Sequence, residues 1–98
     1  MSNVVEYLTF AVEPEHRAAW AERELEVWSA FLRRQPGFIR KELWEPEHDP
    51  DHVHVVIWWE SLQAWKAITA EQVAAVDREM GDLLVVPTCH SFNVLRES

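Results

Sequence analysis

The sequence has one cysteine, two glycines, and nine lysine or arginine residues against seventeen aspartate or glutamate residues. Each shortage closes off a class of function. Cys89 alone can form neither an internal disulfide nor a four-cysteine metal site, which fits a reducing compartment. So little glycine, beside only five prolines, excludes collagen-like and low-complexity readings. The formal net charge of −8 repels phosphate backbones, so nucleic acid is not an expected partner. No run approaches the roughly 20 apolar residues of a membrane span. Met1-Ser2-Asn3 leads into Val4-Val5-Glu6 without a basic leader, and the expected location is cytoplasmic, with no membrane partner.

What the sequence does have is apolar surface. Of its 98 residues 48% are apolar and six are tryptophan, enough for one core and too few for two, so one domain over residues 1–98 is expected. Aromatic side chains concentrate in cores, subunit interfaces and ligand pockets, and the functional question is where these rings go.

Val4 to Val12 alternates as a strand, with Glu6, Leu8 and Phe10 on one side and Val5, Tyr7 and Thr9 on the other. Pro14 starts a helix that runs to about Gln35, ahead of Pro36-Gly37. Its buried stripe is Trp20, Val27, Trp28, Phe31 and Leu32. Two strands follow, Phe38 to Glu45 and Val53 to Trp59, joined by a polar loop with two prolines. Ser61 caps a short helix through Ile68, and Thr69 with Gln72 forms a capping box for another. Cys89 to Leu95 reads as the last strand.

The order β-α-β-β-α-β with right-handed crossovers places both helices on one face of a four-stranded antiparallel sheet, an α+β, ferredoxin-like arrangement. The other face carries Trp44, Val56 and Trp58, joined by Tyr7 and Phe92. That is too much apolar surface to leave wet, so a homodimer is expected, with a second copy as the simplest cover.

At the junctions of this pattern stand Gln35-Pro36-Gly37-Phe38 and Trp59-Glu60-Ser61-Leu62-Gln63-Ala64-Trp65. With them the chain resembles, over nearly its whole length, the dimeric α/β-barrel superfamily. Within it the likeness is to the small antibiotic-biosynthesis-monooxygenase-like domains, in an uncharacterised bacterial branch. The resemblance implies a homodimer with one small-molecule cavity per subunit between sheet and helices. Members include cofactor-independent monooxygenases and haem-degrading enzymes, so the fold does not choose among activities. The haem degraders use an asparagine on the first strand, a tryptophan on the short helix and a histidine on the long one. The nearest positions here are Glu6 or Tyr7, Ile68, and a helix over 70–84 without histidine, which disfavours haem. Trp65, one turn before Ile68, is the nearest ring.

Glu6 is the candidate catalytic residue. On a helix-covered face its carboxylate would be desolvated and driven toward general-base range. The alternative places Leu8 and Phe10 in the dimer barrel, with Glu6 paired to Arg40. Tyr7, Trp59, Trp65 and His90, with Trp58, are candidates to line a pocket for a flat aromatic substrate. Oxidation of such a substrate by O₂ without a cofactor needs a base and a water-excluding enclosure. Strand parity forbids Trp58 and Trp59 from sharing a face. His52 and His54, near His48, Asp49 and Asp51, have metal-ligand chemistry but no distant fourth ligand, so no metal site is assigned. Cys89 and His90 are adjacent on a strand and point to opposite faces, which leaves Cys89 as a small buried apolar residue.

The reading is a small-molecule-binding dimeric barrel protein of monooxygenase-like character, acting without a cofactor on an apolar or aromatic compound. The alternatives are a non-enzymatic dimeric binding module and a haem-binding protein, the latter needing a pocket-facing histidine such as His90.

Overall fold

The computed structural model describes residues 3–98. Strand β1 (Val4–Ala11) is central, because it pairs antiparallel with both β3 (His52–Trp59) and β4 (Thr88–Asn93). Strand β2 (Phe38–Trp44) completes the order β2-β3-β1-β4 as the other edge. The long helix α1 has three parts: an α-helical stretch Pro14–Glu24, a π-helical turn Leu25–Ser29 and a final turn Ala30–Leu32. Helices α2 (Leu62–Lys66) and α3 (Ala70–Met80) follow β3, and a 3₁₀ turn Gly81–Leu83 ends the second. The expected α+β, ferredoxin-like order is therefore the observed one. Among the described residues no helix is long and apolar enough to cross a membrane.

Local chemistry accounts for the boundaries. Pro14 opens α1 where a missing N–H costs nothing, and the Ser61 hydroxyl accepts from the Ala64 N–H at 3.1 Å. Thr69 and Gln72 cap α3 reciprocally: the Gln72 N–H donates to Thr69 Oγ1 at 3.1 Å, and the Thr69 N–H donates to Gln72 Oε1 at 2.8 Å. The loop between β2 and β3 is closed by Asp49, which accepts from the Asp51 N–H and pairs with His52 Nδ1 at 2.8 Å.

The core lies between sheet and helices. Val53, Val55, Ile57 and Trp59 pack with Trp20, Leu32 and Met80, and Trp59 is completely buried. On the opposite face Tyr7 contacts Trp44, Phe92 and His54, Trp44 contacts Trp58, and the Arg40 guanidinium lies 3.8 Å from the Trp58 ring centre. These are the rings expected on the uncovered face, and Trp44 and Phe92 are half exposed there. Gly37, at φ +83°, turns the chain into β2, and its carbonyl accepts from the Glu60 N–H at 2.8 Å. The two sequence signatures thus pack on one another.

Candidate functional site

Between sheet and helices lies a cavity of about 550 Å³. Glu6, Leu8 and Phe10 form part of its sheet wall, and Trp20, Glu24 and Trp28 line it from α1. Helix α2 contributes Trp65 and Lys66. Most of the wall is apolar, so its few polar groups stand out.

Glu6 is one of them. Its register with Leu8 and Phe10 turns it toward the helices, as β1's alternation requires, and the fully buried Trp59 donates its indole N–H to Glu6 Oε1 at 3.1 Å. Burial pushes the Glu6 carboxyl above its ordinary value of 4.5, opposed by the Trp59 hydrogen bond and then by Lys66 and Lys41. Glu6 therefore holds its proton more tightly folded than unfolded. Its stabilising contribution is complete below 4.5 and is lost as pH rises through the raised value. Denaturant midpoints followed across that window should fall with pH in the wild type relative to Glu6→Gln. Parallel curves would show that Glu6 is not desolvated.

A second buried carboxylate lies on α1. Glu24 forms an ion pair with Lys41 of β2, whose Nζ also donates to Ser29 Oγ at 2.9 Å. The two charged side chains are 4% and 6% exposed. Two irregularities bring them together. The π-helical turn puts residues five apart in line, so Glu24 and Ser29 face the same way. A register shift between Phe38 and Arg40 then lets Phe38, which meets Trp59, and Lys41, three positions on, share the covered face. Burial pushes the Lys41 ammonium pKa down, and Glu24 opposes the shift.

Of the residues singled out from the sequence, the structure brings Glu6, Trp59 and Trp65 together. Trp65 lines the cavity, whereas Trp59 stands behind Glu6. Tyr7 and His90 are paired across β1 and β4 on the other sheet face, so they do not belong to this cavity: each follows a cavity-facing neighbour and points the opposite way. The Tyr7 hydroxyl instead meets His54 Nδ1 at 2.9 Å, and Thr9 Oγ1 reaches the same nitrogen at 3.1 Å. Arg40 is also on that face, away from Glu6. Cys89, expected to be buried, is exposed along β4 and borders the cavity. Burial and then Glu6 push its thiol pKa up, with Lys66 opposing. The hairpin histidines do not converge. Among the described residues the one tight carboxylate–imidazole cluster is Glu13, Glu15 and His16, fully on the surface.

A four-stranded antiparallel sheet with helices on one face, and a largely apolar cavity between them with a carboxylate on its sheet wall, defines a class of small ferredoxin-like α+β proteins. Residues 3–72 match the antibiotic biosynthesis monooxygenase family, and the chain belongs to that family. No curated protein matches the chain. Among solved structures it resembles a variant of SnoaB, a cofactor-independent oxygenase from Streptomyces nogalater, at 18% identity and TM-score 0.75, over 99% of this chain and 97% of that one. It also resembles the monooxygenase from the gene ActVA-Orf6 of Streptomyces coelicolor, solved with nanaomycin D, at 20% identity and TM-score 0.78, over 99% and 90%. A third likeness is to the haem degrader MhuD of Mycobacterium tuberculosis, solved with two haems in its active site, at 22% identity and TM-score 0.79, over 97% and 98%. At these identities the likeness is one of fold.

Proposed function

We propose that the protein is a cofactor-independent, monooxygenase-like enzyme that takes a small apolar or aromatic compound into the cavity beside Glu6. The observation that carries this reading is the Glu6 carboxylate itself, set on a largely apolar cavity wall, oriented by the Trp59 N–H and held above its ordinary pKa by burial. Glu6 would accept a proton from an acidic C–H of the bound compound. The resulting carbanion, shielded from water, is the species that reacts with O₂. For a methylene beside a carbonyl the balance is CH₂ + O₂ → C=O + H₂O: O₂ accepts all four electrons, the proton held by Glu6 returns with the second hydrogen to the departing water, and no electrons are required from the protein.

The wall suits a histidine-ligated haem poorly. Among the described residues no histidine lines the cavity, and His90 lies across the sheet. Cys89 is held toward its neutral thiol, a poor ligand. No step is derived through haem.

Oxygen uptake with 2-tetralone, a bicyclic ketone with an acidic benzylic CH₂, tests the reading. Glu6→Gln is expected to lower the catalysed rate by roughly 10²–10⁴-fold, the usual contribution of a general base, while the fold persists. Equal rates in wild type and variant would remove Glu6 as the base.

The uncovered aromatic face supports assembly as a homodimer, with a second copy over Tyr7, Trp44, Trp58 and Phe92. Trp44→Asp is expected to cost about 2 kcal/mol or more of association, roughly 30-fold in Kd, by sedimentation equilibrium. A wild-type monomer would contradict this assembly.

A further inference from the structure

The charged groups on the cavity wall differ in how far they are committed. Glu6 accepts the Trp59 indole N–H, Glu24 is paired with Lys41, and Asp77 accepts a hydrogen bond from Trp28. Among the described residues Lys66 is the one cation lining the cavity, and its Nζ is in no ion pair and no hydrogen bond. The local fold places it there. Ser61 caps α2, and Gly37 leaves no room for a Cβ against Ala64, so the last turn of this short helix is pinned with Trp65 and Lys66 at the cavity. The Lys66 ammonium lies 4.2 Å from the centre of the Trp65 ring, a contact that holds it beside the wall, while the residue as a whole is exposed. Its charge reaches inside: it opposes the upward push of burial on the Glu6 carboxyl of β1 and on the Cys89 thiol of β4.

Proton transfer to Glu6 moves a negative charge. The ligand's C–H bond breaks, the proton goes to a Glu6 carboxylate oxygen, and the electron pair spreads onto the neighbouring carbonyl oxygen as an enolate. The net charge of the cavity is unchanged, but the negative charge now sits on a ligand among apolar side chains, where an unmatched charge is unfavourable. A cation already in place beside the wall offsets it without being drawn from another partner. Coulomb attraction of this kind acts at a distance and needs no shared hydrogen bond.

We propose that Lys66 is the counter-cation for an anion formed in the cavity, and that the ligand is an enolisable carbonyl compound whose negative charge develops on oxygen. The inference rests on the reading of Glu6 as the base. It adds the group that favours the ionised ligand and narrows the ligand class.

The probe is 6-cyano-2-naphthol, which has the bicyclic frame of the enol of 2-tetralone, a hydroxyl acidic enough to ionise below the range of lysine, and an absorbance that changes on ionisation. It is titrated with pH while bound to Glu6→Gln, in which the base carries no charge. There it is expected to ionise about tenfold more readily than when bound to Glu6→Gln/Lys66→Met, the low end of the effect of a nearby opposite charge because Lys66 is exposed. Lys66→Arg in the same background should retain the effect, since charge is what acts. With Glu6 intact, Lys66→Met should slow deuterium exchange into 2-tetralone under argon by about tenfold and leave the Kd of the neutral ketone unchanged. A naphthol midpoint that is the same with and without Lys66, or that Lys66→Arg raises as far as Lys66→Met does, would overturn the counter-cation and leave Glu6 standing as the base. Equal exchange in wild type and Glu6→Gln would remove the base, and the inference with it.

Discussion

Lys41→Met is expected to lower the unfolding free energy by about 3–5 kcal/mol, the cost of leaving one half of a buried ion pair without its partner. The substitution keeps an unbranched apolar stem one atom shorter, so the loss is chiefly one of charge and of the hydrogen bonds of the ammonium. It strands a Glu24 carboxylate that is 4% exposed and removes the donor that Ser29 accepts from. A domain of this size is stabilised by about 5–15 kcal/mol in total, so the variant should sit near the threshold of folding. Urea unfolding followed by tryptophan fluorescence measures the loss. Glu24→Leu/Lys41→Met should recover most of it, because well-packed apolar replacements for a buried pair are often neutral or better. A single variant as stable as the wild type would mean that Glu24 reaches water.

Gly37→Ala is the other large effect, expected at roughly 2–5 kcal/mol. Two costs add. At φ +83° an L-residue pays about 1–2 kcal/mol for left-handed backbone. The new Cβ would also stand 2.4 Å from Ala64 Cβ, an overlap that neither short side chain can relieve, and overpacking of that kind costs typically 1–3 kcal/mol. Since the Gly37 carbonyl accepts the Glu60 N–H, the damage should spread to the junction of β3 and α2 and so to Trp65 on the cavity wall. Hydrogen exchange should report earlier opening of α2 than of β1. A change below about 1 kcal/mol, the size of an ordinary surface substitution or less, would mean that the turn relaxes freely.

Much of this architecture was legible because local signals agreed with one another. Strand alternation placed Glu6 in register with Leu8 and Phe10, Ser61 and the Thr69/Gln72 pair marked two helix starts, and Pro36-Gly37 closed α1. Side-chain chemistry alone suggests Tyr7 and His90 for the pocket, but the alternation that turns Glu6 inward turns its neighbour Tyr7 outward. Lys41, Glu24 and Ser29 were not legible. A π-helical turn inserts one residue into a 3.6-residue period, and the β2 irregularity inserts one into a period of two. Neither period alone brings Ser29 and Lys41 to Glu24, although Leu32 and Trp44, beyond the two irregularities, lie on the faces expected of them.

Everything proposed for the cavity depends on a desolvated Glu6 carboxylate on its wall. The most direct measurement is the titration of its own side-chain carboxyl carbon by NMR in glutamate-labelled protein, assigned with Glu6→Gln, alone and with 2-tetralone. A midpoint above 4.5 is expected for the free protein, with a resonance that moves when the ketone is added. An ordinary carboxyl midpoint, unmoved by the ketone, would contradict it.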